Sequence, residues 1–159
     1  MNYAEHVEQP TVIIKNLAIE SIIKESSRFY IRETGGILMG QIDKEKIIIT
    51  HASGPGPDAK HGFSGFRRDV WYCQEFINKV YDETNGRITY VGEWHKHYNY
   101  PVPSHIDNDT MLEIASTPEC RLNQPLLLIA NSERLKLSYH LFFYSNDKIC
   151  KKKCSIVTS

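Results

Sequence analysis

The chain has 159 residues, 41% of them hydrophobic, which is enough to bury a core as one domain spanning residues 1–159. Its 19 basic and 19 acidic residues cancel, which argues against nucleic acid or an anionic membrane as a partner recognised through overall charge. Residues 1–6 lack the basic flank and apolar segment typical of a secretory leader, and no apolar run approaches the roughly 20 residues of a membrane span. Because the four cysteines also have no framework spacing, we expect a cytoplasmic protein with reduced thiols.

The first part of the chain predicts a strand, a helix and a hairpin. Residues 11–15 form a β-branched run typical of a strand, and Asn16 can cap a helix that follows and ends before Arg28. The apolar positions expected on the buried side of this helix are Leu17, Ile19, Ile22 and Ile23. Residues 35–42 and 46–51 are apolar runs separated by a short polar turn, which indicates two antiparallel strands.

A long loop and a second helix are predicted next. Residues 53–68 are rich in glycine, proline and polar residues without periodicity, which indicates an exposed loop. Asp69 is a plausible cap for a helix that ends at Asn85-Gly86. Its apolar positions recur at helical spacing and are Cys73, Phe76, Ile77 and Val80. This helix should therefore cover the sheet.

The second half of the chain predicts a strand, a third helix and three further strands. Residues 88–97 have the pattern of a strand, and Ser104 begins a helix that stops at Pro118. The strand candidates that follow are residues 126–130, 135–144 and 148–157. Strands interleaved with helices indicate an α+β fold, with a curved mixed or antiparallel sheet flanked by three helices.

Two histidines and an aspartate are the candidate metal ligands. Side chains alternate along a strand, so His95 and His97 point to the same face of the sheet. Asp107 lies in the first turn of the helix that Ser104 begins, from where its carboxylate can lean back toward the histidines. Three such ligands, with the fourth tetrahedral position left to water, are typical of a catalytic zinc site, whereas structural sites are usually closed.

A catalytic site of this kind also needs a base and a group that stabilises the oxyanion. Glu33 stands just ahead of the apolar segment 35–40 and is the candidate base, which would take a proton from water and return it to the leaving amine. Ser104 could donate a hydrogen bond to the developing oxyanion. A solvated turn residue is an alternative interpretation of Glu33, and Ser104-x-x-Asp107 is also a plain capping box.

Two neighbouring features have both a structural and a functional interpretation. Glu93 shares the strand parity of the histidines, so it is either a partner of a metal ligand or only a charged neighbour. The basic cluster in the long loop is either a solvated surface or a clamp for an acidic tail, and it consists of Lys60, His61, Arg67 and Arg68.

Two segments of the chain carry a family resemblance. Residues 33–40 (Glu-Thr-Gly-Gly-Ile-Leu-Met-Gly) and 92–97 (Gly-Glu-Trp-His-Lys-His) resemble the signature segments of prokaryotic JAB proteins, the JAMM/MPN+ metalloisopeptidases. Residues 53–68 also resemble the Gly-Pro-Gly-Pro loop of that family. The resemblance implies a JAB/MPN-like fold, related to cytidine deaminases, with a curved mixed sheet. The site residues that it implies are the base Glu33, the ligands of one zinc ion His95, His97 and Asp107, and the transition-state donor Ser104.

The resemblance also implies a reaction and a class of partner. The reaction is hydrolysis of the isopeptide or peptide bond after the C-terminal tail of a ubiquitin-like modifier or a similarly conjugated protein. Bacterial proteins of this family occur beside E1- and E2-like conjugating proteins, including those of antiphage operons of the CBASS type. We therefore expect a conjugated protein as the partner, and neither nucleic acid nor a membrane.

The sequence departs from the family pattern at two points, both after the second histidine. Tyr98 stands where the family usually has proline, and six residues separate His97 from Ser104 where seven are usual. These changes affect the substrate-side loop more than the metal ligands. The alternative functions are a non-catalytic MPN-type scaffold that binds partner proteins, whose members usually lack ligands, and a nucleic-acid-linked role, which the zero net charge disfavours.

Overall fold

A mixed β-sheet forms the centre of the protein in a computed structural model that describes residues 11–43, 46–63, 65–118, 124–145, 148–150 and 156–159. Eight strands of the described chain build this sheet in the order β10-β1-β3-β2-β6-β7-β8-β9. Their bounds are β1 Thr11–Ile14, β2 Thr34–Ile42, β3 Lys46–Ala52, β6 Thr89–Tyr98, β7 Leu126–Glu133, β8 Lys136–Ser145, β9 Lys148–Cys150 and β10 Ile156–Thr158. Strands β4 (Lys60–His61) and β5 (Phe66–Arg67) form a separate small hairpin.

The sheet contains both parallel and antiparallel pairings. Strand β1 pairs in parallel with both β10 and β3, and β6 pairs in parallel with β7, whereas the other neighbours are antiparallel. A parallel neighbour requires a crossover connection, and the β6–β7 crossover carries helix α3 (His105–Ser116). This crossover starts at the end of β6, where the candidate ligands lie.

The three helices divide between the two faces of the sheet. Helix α1 (Asn16–Ser26) packs with Leu38, Trp94 and the even-numbered residues at the start of β7. Helix α2 (Val70–Glu83) packs with Ile37 and Met39, and α3 packs with Leu127 and Ile129. Since neighbouring strand residues point to opposite faces, α1 covers one face while α2 and α3 cover the other. No helix among the described residues is long and apolar enough to cross a membrane.

The α+β prediction, with three helices and a curled mixed sheet, is confirmed. The predicted cap of the second helix is also confirmed, since the Asp69 carboxylate accepts a hydrogen bond from the Tyr72 N–H at 3.1 Å. Cys73 of that helix is buried in the core as a free thiol, as expected.

Three local predictions are wrong. Lys15, not Asn16, precedes the first helix, and its side chain makes no capping bond. Leu17 and Ile23 of that helix are exposed, because its inner face is built from small and polar side chains as well as apolar ones; its buried residues are Ala18, Ile22, Glu25 and Ser26. The loop predicted for residues 53–68 contains the β4–β5 hairpin.

The C-terminal segment 148–157 does not form the single strand predicted for it. Strand β9 lies at one edge of the sheet beside β8, whereas β10 lies at the opposite edge beside β1. A local sequence pattern cannot distinguish these two placements, because both are edge pairings with long-range partners. Residues 151–155, which include Cys154, lie outside the described residues.

Gly35 lets β2 approach the strand that carries the histidines. It pairs with His95 across the β2–β6 ladder, and a Cβ atom built on it would lie 2.3 Å from the Trp94 carbonyl oxygen and 3.0 Å from the His95 ring. Any side chain here must therefore displace β2 from β6 at the position of His95.

We predict that Gly35→Ala lowers the free energy of unfolding by about 1–3 kcal/mol or more, because the added methyl overpacks a backbone contact. The measurement is the urea unfolding midpoint of the purified variants. Gly54→Ala is the matched control, since the nearest atom to its new methyl, a carboxylate oxygen of Glu25, lies 3.9 Å away. Equal midpoints for the two variants would contradict the close approach at Gly35.

Candidate active site

Strand β6 aims two imidazoles at the face of the sheet that α2 and α3 cover. His95 and His97 alternate with Trp94, which packs on the α1 face. Both histidines are buried. Both side chains therefore point to the same face, as predicted. The helix nearest to them on that face is α3, which follows β6 in the chain.

Asp107 reaches the histidines from the first turn of α3. Its N–H donates to the Ser104 hydroxyl oxygen at 3.1 Å, and its Oδ2 accepts from the Ser104 N–H at 2.7 Å, which is a complete capping box. These bonds fix the carboxylate near the helix N-terminus, where the helix dipole favours a negative charge.

The three candidate ligands converge. Asp107 Oδ1 lies 2.7 Å from His95 Nδ1, and Asp107 Oδ2 lies 3.1 Å from His97 Nε2. One nitrogen of each histidine and one carboxylate oxygen all lie within 4.8 Å of one another, so together they could hold one metal ion. All three residues are buried, which is the usual setting of a protein metal site rather than of a loose surface cluster.

The charges in this cluster support one another. Burial alone would raise the pKa of the Asp107 carboxyl, but the hydrogen bond with His95 and the adjacent His97 imidazole hold its pKa well below its ordinary value. Burial alone would lower the pKa of His95, but hydrogen bonds to Asp107 and Glu93 raise it to about 10. The site therefore favours a buried cation beside Asp107, which is the charge pattern that a divalent ion would also satisfy.

Two buried atoms at the centre of the site have no hydrogen-bond partner. They are His97 Nε2 and Glu33 Oε2. The other nitrogen of His97, Nδ1, lies 2.9 Å from the Tyr100 carbonyl oxygen, and only a protonated nitrogen can donate there. In the neutral ring Nε2 therefore keeps a lone pair pointing into the cluster, as a metal ligand requires. The donor set and this orphaned nitrogen fit a metal ion.

Glu33 lies at the edge of the same cluster. Its Oε1 is 3.7 Å from His97 Nε2, and its side chain is buried although it precedes the sheet in a segment without secondary structure. Burial raises the pKa of the Glu33 carboxyl, and the nearby His97 only partly opposes this. A carboxylate whose pKa is raised in this way is suited to accept and return a proton.

Glu93 links the histidines to the long loop. One of its oxygens lies 3.1 Å from His95 Nε2, and the other accepts a hydrogen bond from the Arg68 guanidinium. Glu93 thereby orients the His95 ring: Nε2 faces Glu93, and Nδ1 faces Asp107. The interpretation of Glu93 as a partner of a ligand is thus the one that the geometry favours.

Lys96 fixes the segment that leads to Glu33. It points to the α1 face between the two histidines, and its buried ammonium donates to the carbonyl oxygens of Phe29 at 2.8 Å, of Tyr30, and of Arg32 at 3.4 Å. The backbone of Glu33 is bonded to the β4–β5 hairpin: its N–H donates to the Gly62 carbonyl, and its carbonyl oxygen faces the His61 imidazole Nδ1. The candidate base is therefore restrained both by the bonds of Lys96 to the residues before it and by the bonds of its own backbone.

The other polar residues near the motif differ in their positions relative to the cluster. Ser104 lines the same pocket as Glu33 and His97, and its hydroxyl proton is not used in the helix cap. His105 is almost fully exposed and pairs with Asp109 at 3.5 Å, so it points away from the cluster. The basic cluster of the loop is divided, because Arg68 and His61 are bonded inward while Lys60 and Arg67 remain exposed.

Sequence reasoning missed the roles of Arg68, Lys96 and Tyr100. Arg68 had the appearance of one more surface charge, and Tyr100 of an ordinary loop residue. The only available signal for Lys96 was a charged residue at a strand position whose neighbours on both sides predict burial. Such a side chain must find partners, although the sequence does not indicate which.

Comparison with known proteins gives a family and a fold. Residues 16–142 match the family described as "Prokaryotic homologs of the JAB domain". A "CD-NTase/cGAS isopeptidase" of Escherichia coli is 30% identical over 106 residues, which are 66% of this chain and 68% of that protein. A "probable metalloprotease y4qB" of Sinorhizobium fredii is 32% identical over 120 residues, 73% of each chain.

A solved structure resembles the whole fold. It is the solution structure of protein DSY2949 from Desulfitobacterium hafniense, with a TM-score of 0.65 over 94% of this chain and 93% of that one. Its sequence is 16% identical, so it supports the fold alone. The chain belongs to the prokaryotic JAB family, because the family match covers most of its length and the alignment with a relative covers 73% of both chains. It is a hydrolase of the JAMM type.

We predict that Lys96→Met frees the segment between α1 and β2, because three carbonyl oxygens lose the ammonium that binds them. Trypsin should then cleave after the exposed Arg28, and after Arg32, several-fold faster than in the unchanged protein, as followed by mass spectrometry. Lys136→Met, which removes an exposed lysine from β8, is the control and should leave both rates unchanged. Unaltered cleavage in Lys96→Met would contradict the role of Lys96.

Proposed function

We propose that His95, His97 and Asp107 bind one zinc ion and that Glu33 is the general base of a metallopeptidase reaction. The observation that carries the proposal is the convergence of three ligand atoms beside a buried carboxylate, with His97 Nε2 and Glu33 Oε2 left without partners. Zinc bound there would act as a Lewis acid and lower the pKa of water to about 7. Two imidazoles and one carboxylate are a common ligand set for catalytic zinc.

The residues of the chain divide the remaining work. Glu33 would accept the proton of the attacking water and return it to the leaving amine, a role that its raised pKa supports. Ser104 would donate its free hydroxyl proton to the carbonyl oxygen as negative charge develops there. The Tyr100 carbonyl and Glu93 would hold the two imidazoles in the orientation that ligand binding requires.

We further propose that the substrate is a protein conjugated through its C-terminal tail. Cleavage would free this C-terminus again. Relatives named CD-NTase/cGAS isopeptidase support this class of substrate, and suggest a conjugated nucleotidyltransferase of an antiphage system or a ubiquitin-like modifier. E1- and E2-like conjugating proteins would then be functional partners. On the same proposal the protein would act in the cytoplasm, since such conjugates form there.

We predict that Glu33→Gln lowers turnover of a cleavable reporter by about 100- to 10,000-fold while the zinc content is retained, because the amide cannot accept a proton. His95→Ala should lose both zinc and turnover. Zinc per chain is measured by inductively coupled plasma mass spectrometry after dialysis. The controls are Glu113→Gln and His105→Ala, two exposed changes on α3 that should alter neither quantity. Full turnover in Glu33→Gln would show that another group is the base.

We also predict the class of substrate. The zinc-loaded protein should release a reporter fused behind the C-terminal tail of a CD-NTase or of a ubiquitin-like protein, with cleavage at the junction identified by mass spectrometry. Removal of the metal with a chelator should abolish release, and added zinc should restore it. A zinc-containing protein that cleaves none of these fusions would favour the non-catalytic scaffold instead.

A further inference from the structure

A pocket with apolar walls opens directly beside the proposed catalytic groups. Its volume is about 410 Å³, and Glu33, His97 and Ser104 form part of its lining. The remaining lining residues are all large and apolar or aromatic: Ile31, Phe63, Tyr98 and Tyr100. Whatever binds here must therefore lie next to the atoms that would carry out hydrolysis.

The apolar walls are unusually open to solvent for side chains of this type. Phe63 is 68% exposed, Tyr100 52%, Ile31 41% and Tyr98 38%. Single exposed apolar residues are common, but these four face one shared space. A cluster of this kind at a reaction site is typical of a surface that a ligand covers.

The aromatic side of the pocket is held rigidly. The Tyr100 ring stacks beside His97 with ring centres 6.0 Å apart, and its N–H donates to the Asn131 side-chain oxygen at 2.9 Å. Asn99 lies in the left-handed region, with a φ of 52°, and its N–H donates to the Ser132 carbonyl oxygen at 3.0 Å. Because the turn is already ordered, a ligand would lose little affinity to ordering it.

The charge around the pocket selects among possible side chains. Among the described residues, neither lysine nor arginine lines it; the Arg32 guanidinium lies 5.4 Å from the centre of the Phe63 ring and is not part of the lining. An acidic side chain in this space would face Glu33, and none of the described lining residues is a lysine or arginine that could compensate the two negative charges. A glycine would leave the walls exposed to water, whereas a large apolar side chain would cover them.

We propose that this pocket binds a large apolar side chain, aromatic or branched aliphatic, of a substrate residue adjacent to the scissile bond. The proposal rests on the proposed function, since it assigns the pocket to that reaction. It distinguishes this enzyme from one that requires glycine on both sides of the bond it cleaves. Phe63, which closes the pocket from the β4–β5 hairpin, would be the residue that sets the preference.

The test uses two series of peptide reporters, one varied on each side of the scissile bond with Gly, Ala, Leu, Phe or Asp. In at least one series, Leu or Phe should exceed Gly in kcat/KM by about 10- to 100-fold, as expected for burial of one large apolar side chain. Phe63→Ala should reduce that preference to a few-fold, because it lowers kcat/KM for the Leu or Phe reporter more than for the Gly reporter. Flat profiles in both series, or a preference that survives in Phe63→Ala, would overturn the proposal.

A binding measurement separates this proposal from the catalytic one. The zinc-loaded Glu33→Gln variant is titrated with the Phe and Gly peptides, and fluorescence anisotropy gives their dissociation constants whether or not any peptide is cleaved. Tighter binding of the Phe peptide that is lost on adding Phe63→Ala supports the pocket even if Glu33 is not the base. Equal binding of the two peptides overturns it. Trp71→Ala removes an exposed aromatic residue of α2 outside the pocket and should leave the ratio unchanged.

Discussion

The carboxylate of Asp107 is the contact on which the site depends, because it joins strand β6 to helix α3. Its two oxygens face one nitrogen of each histidine, and Oδ2 also accepts the Ser104 N–H that begins the helix. A carboxylate has lone pairs for about four such interactions, so capping and ligation are compatible. The start of α3 and the direction of both imidazoles are thus set by one side chain, and any shift of the helix would move a ligand.

The two faces of β6 serve the site in different ways. One face carries Glu93 and the histidines toward α3, while the other carries Lys96 toward the end of α1. The second face matters because Glu33 belongs to a segment without regular structure, which would otherwise be free to move. Strand alternation therefore lets one strand orient the ligands and, through Lys96, restrain the segment that holds the candidate base.

Local sequence patterns were sufficient to predict that the three candidate ligands converge, since strand parity and a helix cap fix the directions of His95, His97 and Asp107. They were not sufficient for contacts between distant parts of the chain. Arg68 and Glu93 are 25 positions apart, and Lys96 is 67 positions from Phe29, so no periodicity relates them. The same limit explains why the C-terminal strand residues were assigned to one strand, although they pair at opposite edges of the sheet.

The departures from the family pattern lie in the wall of the pocket beside Glu33, and the candidate ligands still converge. Tyr98 and the shortened connection to Ser104 produce a turn whose Tyr100 carbonyl orients His97, so the change that adds an aromatic wall also supports a ligand. The fold is shared with a structure only 16% identical and cannot by itself specify a substrate. On the proposed function, specificity would come from such loops, because β6 and α3 are constrained by the candidate ligands they carry, whereas the residues between them are free to vary.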